Sequence, residues 1–153
     1  MDPPPSGLSR CRVLLTDDDA FVRTVYTDAL RGRGCEVTEA RGGQECVTLA
    51  RSLKPDLVLM DLSMPEMDGW QALAALRADP QTRGLRVIAL TASTTNEMRE
   101  RALAAGFDAF ISKPFTPQVL LRELEAAWQQ FHPPASDPFR RHSLSMPFLA
   151  PFY

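Results

Sequence analysis

Leu57-Val58-Leu59-Met60-Asp61-Leu62-Ser63-Met64-Pro65-Glu66-Met67-Asp68-Gly69 decides how this chain folds. Four consecutive apolar residues after Pro55-Asp56 predict a strand buried on both faces, the pattern of a parallel sheet covered by helices on either side. That strand delivers one carboxylate, Asp61, at its carboxyl end and then breaks. In open α/β sheets this edge is where ligands bind, because connecting loops and helix N-termini converge there. A lone aspartate in that place can also be a plain helix cap.

A second acidic cluster, Asp17-Asp18-Asp19, follows another buried run, Val13-Leu14-Leu15-Thr16, in the same manner. If the two strands are neighbours, three or four carboxylates share one crevice. At about 4 Å and an effective dielectric near 20, each such pair repels by roughly 4 kcal/mol, so the cluster calls for a cation. Hard oxygen donors favour Mg²⁺. The rival reading of Asp17 and Asp18 is a solvated helix start, where acidic residues suit the helix dipole.

Working outward, the first strand is expected at about Arg12 to Thr16. A helix follows from about Asp19, with Phe21, Val22, Val25, Tyr26, Ala29 and Leu30 at helical spacing, and it ends near Gly32 to Gly34. The short alternating segment Cys35 to Glu39 predicts an edge strand, and Gly42-Gly43 turns the chain into a helix of about Gln44 to Leu53. Beyond the central strand, a third helix is expected from about Gly69 to Ala78, capped by Asp68 and burying Trp70, Leu73 and Leu76. Leu85 to Thr91 reads as a fourth buried strand that brings the hydroxyls of Thr91 and Ser93 to the same edge. Thr94-Thr95-Asn96-Glu97 has the spacing of a capping box, with Thr94 the expected cap of a fourth helix that ends at Gly106. A fifth strand, Ala109 to Ser112, then delivers Lys113. Thr116-Pro117 opens a fifth helix with a stripe of Val119, Leu120, Leu121, Leu124 and Trp128.

Five strands alternating with five helices predict a doubly wound α/β fold, a five-stranded parallel sheet of flavodoxin-like (βα)5 type. Its carboxyl edge would collect Asp17, Asp18, Asp61, Thr91 and Lys113. Residues 11–131 are expected to form that domain. Residues 1–10, with Pro3-Pro4-Pro5, read as a flexible leader with nothing to pack. Residues 132–153 hold five of the thirteen prolines and read as a proline-rich disordered tail, whose aromatic end could instead dock as an extended peptide.

Composition narrows the function. Hydrophobic residues at 44% and charged residues at 24% are those of a globular chain, so wholesale disorder is excluded. A net charge of -2, with Arg140-Arg141-His142 the nearest thing to a basic run, offers no footprint for nucleic acid. No apolar run approaches a membrane span and no signal peptide is legible, so a cytoplasmic protein is expected. Cys11, Cys35 and Cys46 are odd in number and lack histidines at ligand spacing, which makes them free thiols. His132 and His142 both lie in the tail, so histidine base catalysis and zinc chemistry in the body are not expected.

Three carboxylates, a divalent cation and an ammonium sum to zero charge, so a phosphoryl group could approach Asp61 without repulsion. A carboxylate oxygen could then attack phosphorus to give an acyl phosphate. Asp17-Asp18, Met60-Asp61 with Met64-Pro65-Glu66-Met67-Asp68-Gly69, Leu90-Thr91-Ala92 and Ser112-Lys113-Pro114-Phe115 together resemble the receiver domain of two-component response regulators, single-domain and chemotaxis-regulator-like. The resemblance runs from about Arg12 to Phe131. It implies that Asp61 accepts phosphate from a histidine kinase or phosphotransfer protein. It also implies that Asp17, Asp18, Asp61 and the backbone carbonyl of Ser63 hold Mg²⁺, and that Lys113 and Thr91 contact the phosphoryl group. Thr91 and Phe110 would form the switch, and the Lys113-Pro114 bond is expected to be cis. Without the resemblance, Thr91 is a strand-end cap and Phe110 ordinary core. Asp19 is expected to cap or lie exposed. Ser63 and Ser93 sit where side chains could influence the hydrolytic water.

No helix-turn-helix or catalytic module is legible after the fifth helix. Signalling is therefore expected to pass to a protein partner through the face around helix four, strand five and helix five, or through the tail, with a phosphorylation-dependent dimer one outcome. Two other functions compete. In a haloacid-dehalogenase-like phosphatase, Asp17 and Asp19 would imitate a D-x-D nucleophile and acid, but a later acidic pair is missing. A receiver-like scaffold that binds partners without phosphorylation is the other.

Overall fold

The computed structural model describes residues 7–93, 95–113 and 116–132. Strands and helices alternate throughout: β1 Arg12–Thr16, α1 Ala20–Gly32, β2 Glu36–Ala40, α2 Gly43–Leu53, β3 Leu57–Asp61, α3 Gly69–Ala78, β4 Val87–Thr91, α4 Asn96–Ala105, β5 Ala109–Ser112 and α5 Pro117–Phe131. The five strands form one parallel sheet in the order β2-β1-β3-β4-β5. β2 is an edge, as expected, and β3, whose five residues are all buried, is central.

Alternate residues of each strand point to opposite faces, and both faces are covered. Val13, Leu15, Leu57, Leu59, Ile88, Leu90 and Ile111 pack with Leu30 of α1 and with Leu120 and Leu124 of α5. Leu14, Val58, Met60, Val87, Ala89 and Phe110 pack with Cys46, Ala50, Leu73, Leu76 and Ala102 from α2, α3 and α4. Two-sided burial is why these strands read as continuous apolar runs.

Local chemistry sets the helix starts. Asp19 caps α1 by accepting the N–H groups of Phe21 and Val22. Asp68 and Gln71 form a reciprocal capping box at α3, and Thr116 with Pro117 opens α5 as expected. Helix α4 departs from expectation. Its cap is Thr95, whose hydroxyl accepts the Met98 N–H at 3.2 Å, while Thr94 lies outside the described residues.

Three further differences concern burial. Phe21, expected on the buried stripe of α1, is 76% exposed; Val22, Val25, Tyr26, Ala29 and Leu30 pack into or against the core as expected, and Arg23 and Thr27 are buried beside them. Trp70 is only partly buried, with Arg101 of α4 stacked over its ring at 4.5 Å. Leu8, within the stretch expected to have nothing to pack, is fully buried. Its carbonyl accepts the Cys11 N–H at 2.9 Å and the Cys35 thiol at 3.4 Å. The packed body therefore reaches back at least to Gly7, where a Cβ would sit 2.7 Å from the Trp128 ring. The tail after residue 132 lies outside the described residues. Among those described, no helix is long and apolar enough to cross a membrane.

Candidate functional site

Strand order reverses between β1 and β3, so the loops leaving them diverge and open a crevice beyond their carboxyl ends. Asp61 is the last residue of β3, and Asp17 immediately follows β1. Both are buried, at 7% and 1% exposure, whereas Asp18 is exposed. One carboxylate oxygen from each of Asp17, Asp18 and Asp61 lies within 4.8 Å of the others. Two separate stretches of sequence thus meet in one acidic cluster.

Lys113, at the end of β5, completes it. Its Nζ donates to Asp17 Oδ2 at 3.0 Å and lies 3.4 Å from Asp61 Oδ2, so one ammonium bridges both buried acids. The other oxygen of each acid accepts a backbone N–H two residues on, from Asp19 to Asp17 Oδ1 at 2.9 Å and from Ser63 to Asp61 Oδ1 at 3.0 Å. These short turns fix both carboxylates facing the crevice. Three carboxylates against one ammonium leave two negative charges, and the donors are all hard oxygens, so the set fits one Mg²⁺.

Electrostatics agree with that geometry. Burial raises the Asp61 carboxyl above the usual range; the Ser63 N–H and Lys113 pull the other way, Asp17 adds to the rise, and burial prevails. Burial alone would lower the Lys113 ammonium, but its bond to Asp17 and the charge of Asp61 hold it above its ordinary value. The Tyr26 hydroxyl on α1 is raised chiefly by burial, with Lys113 lowering it and Asp17 raising it.

Thr91 ends β4, 6% exposed, and its hydroxyl accepts the Ser93 N–H at 3.1 Å. Phe110 is 3% exposed and lies in the core formed with α2, α3 and α4. Ser63 is exposed. Pro114, and with it the Lys113-Pro114 bond, lies outside the described residues. Asp19 caps α1 through one carboxylate oxygen, Oδ1, in keeping with the capping role expected of it.

Two features escaped the sequence reading. Arg23, 9% exposed, donates from Nη1 to the Asp17 carbonyl at 2.7 Å and from Nε to Glu39 at 3.1 Å. Its signal was its place three and seven residues before Tyr26 and Leu30 on one helix face, but a charged residue there reads as solvated. The other is Gly69, where a Cβ would meet the Asp61 carbonyl at 2.5 Å and Leu62 Cα at 2.9 Å. Only a glycine lets α3 start this close to the strand that carries Asp61.

The model of the response regulator receiver domain matches residues 13–125. This chain belongs to the response regulator receiver family. A receiver domain is a module of phosphorylation-controlled signalling, and an acidic cluster of Asp17, Asp18 and Asp61 lies at the carboxyl edge of its sheet here. Among curated relatives, the DNA-binding response regulator MtrA of Mycobacterium tuberculosis is 38% identical over 117 residues, 76% of this chain and 50% of MtrA. The receiver domain described here thus spans about half the length of that relative. An uncharacterized 14.6 kDa protein of Leptolyngbya boryana is 34% identical over 84% of this chain and 98% of its own length. Among solved structures, the chemotaxis response regulator CheY4 of Vibrio cholerae superposes with a TM-score of 0.72 at 30% identity, covering 76% of this chain and 98% of CheY4. The sheet order and the doubly wound architecture are those of this family.

Proposed function

We propose that Asp61 is the phosphoacceptor of this receiver domain and that phosphorylation there changes which protein it binds. The observation that carries the reading is the Lys113 bridge between Asp17 and Asp61, because it places a cation opposite the carboxylate that must accept a dianionic phosphoryl group. Asp17, Asp18, Asp61 and the Ser63 backbone carbonyl would hold Mg²⁺, which supplies charge neutralisation for the incoming phosphoryl oxygens. An Asp61 oxygen attacks phosphorus, the bond to the donor breaks, and the donor group leaves with the bonding electrons and takes up a proton. A histidine kinase or phosphotransfer protein would be that donor. Lys113 and Thr91 contact the new phosphoryl group, and as the Thr91 hydroxyl turns towards it Phe110 fills the vacated space. The rearranged face around α4, β5 and α5 then selects a partner or a second copy. Loss of phosphate by hydrolysis resets the domain, and a cytoplasmic setting, where such donors work, suits this cycle.

Acetyl phosphate with Mg²⁺ should add one phosphoryl mass to the chain, located by peptide mapping on the peptide that holds Asp61 and absent from Asp61→Asn. Mg²⁺-dependent labelling that survives this substitution would sink the assignment. A partner bound equally well by phosphorylated, unphosphorylated and Asp61→Asn chains would favour the phosphorylation-independent scaffold.

A further inference from the structure

We propose that Arg23, paired with Glu39, is a positioning residue for the metal-binding acids, fixing the Asp17-Asp18 peptide so that Asp18 faces the cluster. The inference rests on reading Asp17, Asp18 and Asp61 as Mg²⁺ ligands.

Asp17 is held on both sides of its Cα. Its N–H donates to the Ala40 carbonyl at 3.2 Å, extending the β1–β2 ladder one residue beyond the strand. Its carbonyl accepts Arg23 Nη1 at 2.7 Å in a buried bond. That carbonyl belongs to the peptide joining Asp17 to Asp18, so Arg23 sets the plane from which the Asp18 side chain departs. Asp17 needs little such help, since Lys113 and the Asp19 N–H already fix its carboxylate. Asp18 is different: it is exposed, and its carboxylate accepts no hydrogen bond from any described residue. Among the described residues, the backbone is what sets its direction.

Glu39 gives the arrangement its rigidity. It sits near the carboxyl end of β2, and its 3.1 Å ion pair with Arg23 Nε keeps the guanidinium from swinging away from the Asp17 carbonyl. Arg23 is 9% exposed, and desolvating a guanidinium is costly unless its donors are met. Simple packing at that place on α1 could be served by an apolar side chain. A planar fork that reaches two elements at once cannot. Supporting groups of this kind commonly change metal affinity without touching the metal.

The test is Mg²⁺ binding by the full chain, measured calorimetrically without any phosphodonor, for wild type, Arg23→Gln, Arg23→Lys, Glu39→Gln and a distant core control, Leu76→Val. Arg23→Gln should weaken Mg²⁺ binding roughly 10-fold to 100-fold. Arg23→Lys, which can still donate to the carbonyl but not also hold Glu39, should recover part of that loss, and Glu39→Gln should fall between it and wild type. With acetyl phosphate, the labelling rate of Arg23→Gln should return to the wild-type value at saturating Mg²⁺, the defect lying in the metal requirement. A merely structural role predicts instead that Arg23→Gln loses no more affinity than Leu76→Val. That result, or wild-type affinity in a folded Arg23→Gln chain, would overturn the proposal. Should Arg23→Gln fail to fold, wild-type Mg²⁺ affinity in both Arg23→Lys and Glu39→Gln would overturn it equally. A wild type that binds no Mg²⁺ at all would overturn the metal-ligand reading itself, and this inference with it.

Discussion

Asp61 holds its charge in surroundings that resist it, because burial and the neighbouring Asp17 outweigh what Lys113 and the Ser63 N–H return. A carboxyl whose folded value lies above its unfolded one weakens the fold as pH rises out of the acid range and leaves it unaffected below that range. Asp61→Asn keeps the shape and the acceptor for Ser63 but removes the charge. Without Mg²⁺ it should therefore be more stable than wild type by on the order of 1 kcal/mol. In calorimetry this is a rise of about 2–8 °C in melting temperature, a gap that closes on acidification. Adding Mg²⁺ should raise the wild type well above its own metal-free value and move Asp61→Asn far less. An Asp61→Asn chain that melts below wild type without metal would contradict this. The three acids and Lys113 were legible because each ends an apolar run and so must lie at the sheet's carboxyl edge. Arg23 was not, since a helix permits a charged residue on either face and only the tertiary partners, Asp17 and Glu39, decide which.

Among the elements, α3 is the one whose placement bears directly on Asp61, the proposed phosphoacceptor. Its N-terminus rests on the carbonyl of Asp61 and the Cα of Leu62, with no space for a Cβ at Gly69. Gly69 does not adopt a positive φ, so alanine there is resisted by contact alone and not by backbone strain. Gly69→Ala should force α3 outward or β3 inward, costing about 1–3 kcal/mol in urea unfolding. The same substitution should slow acetyl-phosphate labelling of Asp61 more than an equally destabilising core change such as Leu76→Val. Equal labelling rates for the two variants would show that the contact sets stability only. Sequence signals located α3 to the residue, because Asp68 and Gln71 form a strong cap and Asp79-Pro80 a strong stop. At α4 two adjacent threonines offered rival caps. Glu97 favoured Thr94, but Thr95 bonds Met98 in the folded chain, a choice of register that local spacing does not decide. The proposed switch role of Phe110 rests only on the family resemblance, since a buried phenylalanine in a strand has the same signature whether it moves or not.

Across the whole molecule, the two-layered core holds three thiols that ordinary solution chemistry should not reach. Cys11 and Cys35 face one layer and Cys46 the other, at 2%, 6% and 0% exposure. Burial is the leading cause that pushes Cys11 up to about 12 and both Cys35 and Cys46 up to about 11 from an ordinary value of 9.0. A thiol whose folded value is raised contributes stability that is complete below its unfolded value and lost as pH climbs towards the folded one. Between pH 9 and 11 the unfolded chain gives up these protons while the folded chain keeps them. Each thiol should then withdraw on the order of 1 kcal/mol of stability per pH unit. Urea midpoints should be flat in this respect from pH 7 to 8.5 and fall steeply above pH 9, more steeply than in a variant carrying Cys11→Ala, Cys35→Ala and Cys46→Ala. Iodoacetamide at pH 8 should label all three cysteines in urea and essentially none in the native chain, read by intact mass. The sites nearest the sheet's amino edge give the sharpest version, because Leu8 covers both Cys11 and Cys35 there. Removing residues 1–9 should expose that pair to alkylation while leaving Cys46 protected, and labelling that stays equal at all three positions would show that Leu8 is not the cover.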